Sequence, residues 1–169
     1  MLTPEREKQM DEILSHYPDG QSRSAVIPAL WLWQDEHAWI SEEGMKYVAQ
    51  RIGITPEQVR EVATFYSMFN TKPVGRYHFQ VCCTTPCMIN GSDELIAHLE
   101  RRIGIRRGHT TEDGLFTVSQ VECLGSCDTA PMLQLNRQRY HENLTPELVD
   151  GLIERCRAQA VAGGAGEVE

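Results

Sequence analysis

The sequence predicts a mixed α+β protein, an N-terminal helical region followed by a small α/β sandwich. Three observations carry this. As far as about residue 70, apolar residues recur at helical spacing behind repeated helix-start signals. Around Pro73-Val74-Gly75 the pattern changes to the alternation of a strand. From Tyr77 onward the elements run strand, helix, strand, two short strands, helix, an order that suits layers around one small sheet.

Thr3-Pro4-Glu5 starts the first helix, with a cap and a proline in the first turn. Ser24 is read as the cap of a second helix through AVIPALWLWQDEHA, whose Pro28 falls near the first turn, where proline costs least. Ser41 begins a third helix and Gly53 ends it. Thr55-Pro56-Glu57-Gln58 begins a fourth with a capping box, and Val59, Val62, Ala63, Tyr66 and Phe69 make its apolar face. Tyr77, Phe79 and Val81 alternate with His78, Gln80 and Cys82 in a strand, and a loop then carries Cys82, Cys83 and Cys87. Ser92 is read as the cap of a helix with Leu95, Ile96, Leu99 and Ile103 on one face, stopped near Gly104. LFTVSQVE, Leu115 to Glu122, is a second strand running into Cys123-Leu124-Gly125-Ser126-Cys127. Two short strands, Met132 to Leu135 and Arg139 to Tyr140, turn around Asn136. Thr145-Pro146-Glu147 starts a last helix with Leu148, Val149, Leu152, Ile153 and Cys156 on one face. The expected divisions are a helical region over 1–75, the sheet domain over 76–160, and a frayed small-residue tail over 161–169.

Composition narrows the class. A net charge of −8 argues against nucleic acid, which favours a clustered basic surface. No apolar run approaches the roughly 18 residues of a membrane span, and the charged N-terminus has no signal-peptide character. The expected place is therefore the cytoplasm. In that reducing compartment six cysteines point to metal ligands, catalysis or core packing before disulfides.

Four of them form two pairs, Cys82-x4-Cys87 and Cys123-x3-Cys127, each in a loop just after a strand. A 2Fe–2S cluster needs four soft thiolates, and two pairs from two loops supply two sulfurs to each iron. Gly91 and Gly125 would let backbone amides approach the sulfurs. Zinc also takes four cysteines, and these spacings leave it a competitor. The absence of C-x-x-C in the chain speaks against a thiol oxidoreductase. Cys83-x3-Cys87 mirrors the second pair, so alternation leaves Cys83 open as a ligand, whereas Cys156 reads as a core residue.

At these residues the chain resembles a known family. VCCTTPCMINGSDEL, LFTVSQVECLGSCDTAPMLQLN and VATFYSMF resemble the E-type (24-kDa-type) subunit of NADH:quinone oxidoreductase, the translocase of respiratory complex I. The similarity extends from about Ser24 to Leu152. It implies a thioredoxin-like 2Fe–2S ferredoxin domain after the helical region. It also implies that the cluster's iron ligands are Cys82, Cys87, Cys123 and Cys127, with Cys83 outside the set. The partner it implies is a larger subunit binding FMN, NADH and a 4Fe–4S cluster, together with further peripheral-arm subunits. Such a chain sits on the cytoplasmic side of a bacterial inner membrane without inserting into it. The chain has no G-x-G-x-x-G motif, in keeping with an electron carrier that has no catalytic or nucleotide site of its own. Two rival readings are the equivalent small subunit of a soluble NAD-dependent hydrogenase or formate dehydrogenase, and a zinc-binding assembly scaffold.

Other residues have blander roles open to them. Trp31 and Trp33 are two apart and do not share a helix face. With Trp39, Phe65, Tyr66, Met68 and Phe69 they offer a docking surface for the flavin subunit, against a core reading that stands slightly ahead. His37, His78, His98 and His109 lack ligand spacing, and the arginines at 101, 102, 106 and 107 read as a solvated helix end. Pro131, before a strand, occupies the place where thioredoxin folds often carry a cis proline.

Overall fold

Helix-start chemistry in the first unit of the chain, Met1–Pro73, is local and works largely as the sequence reads. The computed structural model describes residues 1–162. Helix α1 (Pro4–Ser15) is capped by Thr3, whose hydroxyl accepts the Arg6 amide. Helix α3 (Glu42–Ile52) is capped by Ser41 and closed by Gly53 at φ 80°, a left-handed turn that a glycine enters without strain. Helix α4 (Pro56–Phe65) has both halves of its capping box, Thr55 and Gln58 each holding the other's amide.

Two expectations here need correction. Ser24 is not a cap: it lies inside a 3-10 turn, Ser22–Ala25, that runs straight into α2 (Val26–His37). The apolar face of α4 stops at Ala63, because the backbone leaves the helix at Tyr66 (φ −90°, ψ 113°). The turn beyond is held by Gln34, 3% exposed, which accepts the Asn70 amide at 2.6 Å and donates to the Met68 carbonyl at 3.1 Å. This returns Phe69 to the core beside Met10, Leu30, Trp33, Val48 and Val59, and leaves Phe65 80% exposed. Trp33 is buried, while Trp31 is half-buried with its ring 4.8 Å from that of Phe69. Trp33 and Phe69 are therefore core, Trp31 and Met68 pack against it, and Phe65 and Tyr66 are exposed.

The second unit begins at Val74 and is built on a five-stranded sheet ordered β2-β3-β1-β4-β5. Its strands are β1 (Tyr77–Cys82), β2 (His109–Thr110), β3 (Phe116–Val121), β4 (Leu133–Leu135) and β5 (Arg139–His141). The central β1 runs parallel to β3 and antiparallel to β4. Parallel neighbours need a crossover, and helices α5 (Thr85–Ile89) and α6 (Ser92–Ile103) lie in it. One face of the sheet, Tyr77, Phe79, Val81, Phe116, Val118, Leu133 and Leu135, packs against α6 and against α7 (Pro146–Val161). Its other face is polar, carrying His78, Gln80, Thr117 and Ser119.

Several local details differ from the sequence reading. All six residues of β1 are buried, so its alternation separates an apolar from a polar layer rather than core from solvent. Two elements carry too little periodicity to be read: the two-residue β2, and α5, which puts Cys87 on a short helix rather than in a loop. Gly91 is the N-cap of α6 at φ 94°, and Ser92 is a buried first-turn residue. In α7 the face is Val149, Leu152, Ile153 and Cys156, while Leu148 is 53% exposed. That helix includes Val161, expected to lie in a frayed tail; residues 163–169 of the expected tail are outside the described residues. The turn between β4 and β5 places Asn136 and Arg137 at φ 52° and 60°, the left-handed pair of a tight hairpin. The Ala130–Pro131 peptide is cis.

Gly75 makes a close backbone approach at the start of this unit. A Cβ there would stand 2.7 Å from the Phe116 carbonyl carbon and 2.9 Å from its amide nitrogen, and backbone atoms in a sheet have little room to give. Its amide also donates to the Thr117 hydroxyl at 2.6 Å. Gly75→Ala is expected to destabilise the chain by about 1–3 kcal/mol, as overpacking does. A lowered denaturant midpoint at unchanged m-value checks this.

Candidate metal centre

The topology gathers the cysteines. Because β1 and β3 are parallel neighbours in register, Cys82 lies opposite Val121, and both strands release their chains at the same edge. Cys82 is the last residue of β1, and Cys123 follows β3 by two positions. Open α/β sheets tend to place their sites beyond such carboxyl ends. The Met132 carbonyl accepts the Cys82 amide at 3.2 Å, so the segment after cis-Pro131 forms the floor of the site. Cys82, Cys87 and Met132 pack together, with Leu124 and Ala130 against them.

The four thiols fall into two pairs. Cys123 and Cys127 are exposed, with their sulfurs 3.8 Å apart. Two thiolates on one tetrahedral metal, at about 2.3 Å each, stand about 3.8 Å apart. Cys82 and Cys87 are buried and pack together with Met132. Among the described residues no three His, Cys, Asp or Glu side chains stand close enough to hold a single ion.

Each pair contains one thiol held below the ordinary range and one held above it. Burial opposes the Cys82 thiolate. Hydrogen bonds from the Thr84 hydroxyl and amide, the Leu124 amide and the Cys87 thiol outweigh it and hold Cys82 below the ordinary range. Cys87 is pushed up to about 11, first by burial and then by Cys82. Cys123 is lowered, first by the Gly125 amide, 3.4 Å from its sulfur, and then by the Thr84 hydroxyl and Cys127. Cys127 is raised, first by its hydrogen bond to Cys123 and by that thiolate's charge. In each pair the two thiols are thus shifted in opposite directions, one below the ordinary range and its neighbour above it.

Cys83 points elsewhere. It lies just past the end of β1. Its thiol donates to the Val121 carbonyl at 3.1 Å. Gly91, expected to present an amide to the sulfurs, instead donates to the Met88 carbonyl at 3.1 Å. Three contributors are not legible in the sequence. The Thr84 hydroxyl lies 3.4 Å from Cys82 Sγ. From the end of β5 come the Tyr140 hydroxyl, donating to the Leu124 carbonyl at 2.9 Å, and the Glu142 carboxylate, accepting from Ser126 and Thr129.

A family profile described as thioredoxin-like [2Fe-2S] ferredoxin matches residues 10–157. The E-type subunit (E 2) of the NADH-quinone oxidoreductase of Rhizobium meliloti (strain 1021) is 44% identical over 151 residues, 89% of this chain and 88% of that protein. The chain belongs to the thioredoxin-like [2Fe-2S] ferredoxin family of NADH-quinone oxidoreductase E-type subunits. Other members are similarly near. The E-type subunit of the Rickettsia felis oxidoreductase is 45% identical over 145 residues, covering 85% of this chain and 86% of that one. Subunit 2 of the Thermus thermophilus oxidoreductase is 42% identical over 149 residues, covering 88% and 82%. Among solved structures, an NAD+-reducing [NiFe]-hydrogenase in the H2-reduced state matches with a TM-score of 0.69 at 25% identity. That match covers 78% of this chain and only 22% of the hydrogenase chain.

The site fits the group that the family name implies. Four soft donors in two pairs, with a 3.8 Å sulfur pair and an amide aimed at Cys123, are what a two-iron cluster asks of its protein. No helix among the described residues is long and apolar enough to cross a membrane.

Proposed function

We propose that the chain is the electron-carrying subunit of the NADH-oxidising part of a bacterial complex I. It takes one electron at a time from an FMN held by a partner subunit, which also binds NADH and a 4Fe–4S cluster. The observation that carries this reading is that β1 and β3, parallel neighbours in a [2Fe-2S] family domain, release the Cys82 and Cys123 loops at the same end of the sheet. Those four cysteines would hold the cluster, which when bound supplies reversible one-electron chemistry. The chain's own part is to hold two thiols behind Met132 away from water and two at the surface. Leu124 and Gly125 amides and the Thr84 hydroxyl offset the charge that collects on the sulfurs. The exposed pair is the natural side for an electron to enter, with the partner subunit docked over it. Peripheral association with the inner membrane would then come through other subunits.

The hydrogenase likeness favours a second reading, the same module serving a soluble NAD-linked enzyme. Isolation of the chain with its partners separates the two. A flavoprotein together with quinone-reducing membrane subunits is the expected result; a nickel hydrogenase in their place would decide for the alternative. The cluster itself is tested by metal analysis and EPR of the purified chain. About two irons and two sulfides per chain and a signal after dithionite reduction are expected. Colourless protein with zinc and no signal would overturn the proposal in favour of a scaffold.

A further inference from the structure

We infer that Tyr140 is a positioning residue for the cluster sulfurs, acting through a single peptide plane. The inference rests on the reading that a cluster is held by the four cysteines. The Tyr140 hydroxyl donates to the Leu124 carbonyl oxygen at 2.9 Å. That oxygen and the Gly125 N–H belong to one rigid trans peptide unit, so they point in opposite directions. The Gly125 N–H is the group that donates to Cys123 Sγ at 3.4 Å. Gripping the oxygen therefore aims the N–H. It also polarises the amide, since hydrogen bonds in series strengthen one another.

The loop needs an external grip. Between β3 and the short turn Cys127–Thr129 it has no regular structure of its own, and Gly125 sits at φ 83°. The end of β5 supplies three attachments. Tyr140 holds Leu124, Glu142 accepts from the Ser126 and Thr129 hydroxyls, and the Asn143 amide donates to the Thr129 carbonyl at 2.8 Å. Of the three, Tyr140 is the one that touches the peptide donating to a cysteine sulfur. A reduced cluster carries one more negative charge than the oxidised one, so a donor at sulfur favours reduction. Weakening that donor should disfavour it.

The experiment is an EPR-monitored redox titration of the full-length, cluster-loaded chain as wild type, Tyr140→Phe and Thr129→Val. Phenylalanine keeps the ring and removes only the hydroxyl. Reduction is expected to become about three- to tenfold less favourable in Tyr140→Phe, the size of one lost hydrogen bond. Tenfold is about 59 mV for a one-electron couple. Thr129→Val, which loosens the loop without touching Leu124, should leave the potential in place. Pulsed EPR after exchange into D2O should show a weaker coupling to one exchangeable deuteron in Tyr140→Phe alone. A fluorinated tyrosine placed at 140, a stronger donor of nearly unchanged shape, should shift the potential in the opposite direction. An unchanged potential and coupling in Tyr140→Phe, or an equal fall in Thr129→Val, overturns the role of Tyr140 and leaves the cluster intact. A wild-type chain with no 2Fe–2S signal overturns the cluster reading itself.

Discussion

Replacing Cys82, Cys87, Cys123 or Cys127 singly by serine is expected to lower the iron content of the purified chain by about tenfold or more, whereas Cys83→Ser and Cys156→Ser should retain it. Serine keeps the shape of cysteine but offers a hard oxygen that holds its proton far more tightly than a thiol, and iron–sulfur centres select soft, deprotonated sulfur. Position then separates the six. Cys83 donates its thiol to the Val121 carbonyl. Cys156 is fully buried among Leu152, Ile153 and the apolar face of the sheet, where burial pushes its thiol up to about 12. The two pairs should also differ from each other. Cys123 and Cys127 are exposed, so serine there leaves the fold in place and removes only a ligand. Cys82 and Cys87 are part of a small packed cluster with Met132, so their variants should lose some thermal stability as well. Iron analysis beside a thermal melt reads both effects. Full iron in any of the four variants, or loss of iron in Cys83→Ser, would sink the assignment.

Acidification from pH 7 to pH 5 is expected to destabilise the wild-type chain by about 2 kcal/mol more than a His78→Gln variant. His78 is 5% exposed on the polar face of β1, with Nε2 2.7 Å from the Ser119 hydroxyl. Burial lowers its pKa from 6.5 to about 4. Between those two values the unfolded chain binds a proton at this position and the folded chain does not. Stability is therefore fully present above about pH 6.5 and falls as the pH drops toward 4, by about 1.4 kcal/mol per unit. Glutamine cannot take the proton and can still bond to Ser119. His141, half-buried and also held low by burial, titrates in the same direction in both proteins and cancels in the comparison. Urea melts at the two pH values measure the difference. Parallel loss of stability in both chains would show that His78 is not held neutral.

How much of the fold is legible in the sequence depends on the range of the interactions. Helix starts are legible where the signal is a side chain three residues from its partner, as at Thr3, Ser41, Thr55 and Thr145. At Ser24 and Ser92 the same signal misleads. The chain enters those helices through a 3-10 turn and through a left-handed glycine, and the serine has no cap to make. Helical spacing runs the face of α4 too far for a related reason. Gln34, over thirty residues away, pulls the chain out of the helix, and spacing along one helix cannot register such a bond.

The mixed fold and the family frame are legible in the sequence itself, because periodicity and motif are properties of neighbouring residues. The four-cysteine set is what the family resemblance implies, since spacing alone leaves Cys83 open. The tertiary structure decides what stands around those cysteines. Parallel pairing of β1 with β3 brings Cys82 and Cys123 to one edge, and the Cys83 thiol is bonded to the Val121 carbonyl. The hairpin return of β5 then places the Tyr140 hydroxyl on the Leu124 carbonyl. Tyr140 is sixteen positions from Leu124. No local pattern links residues so far apart; only the folding of the sheet brings them within hydrogen-bond reach.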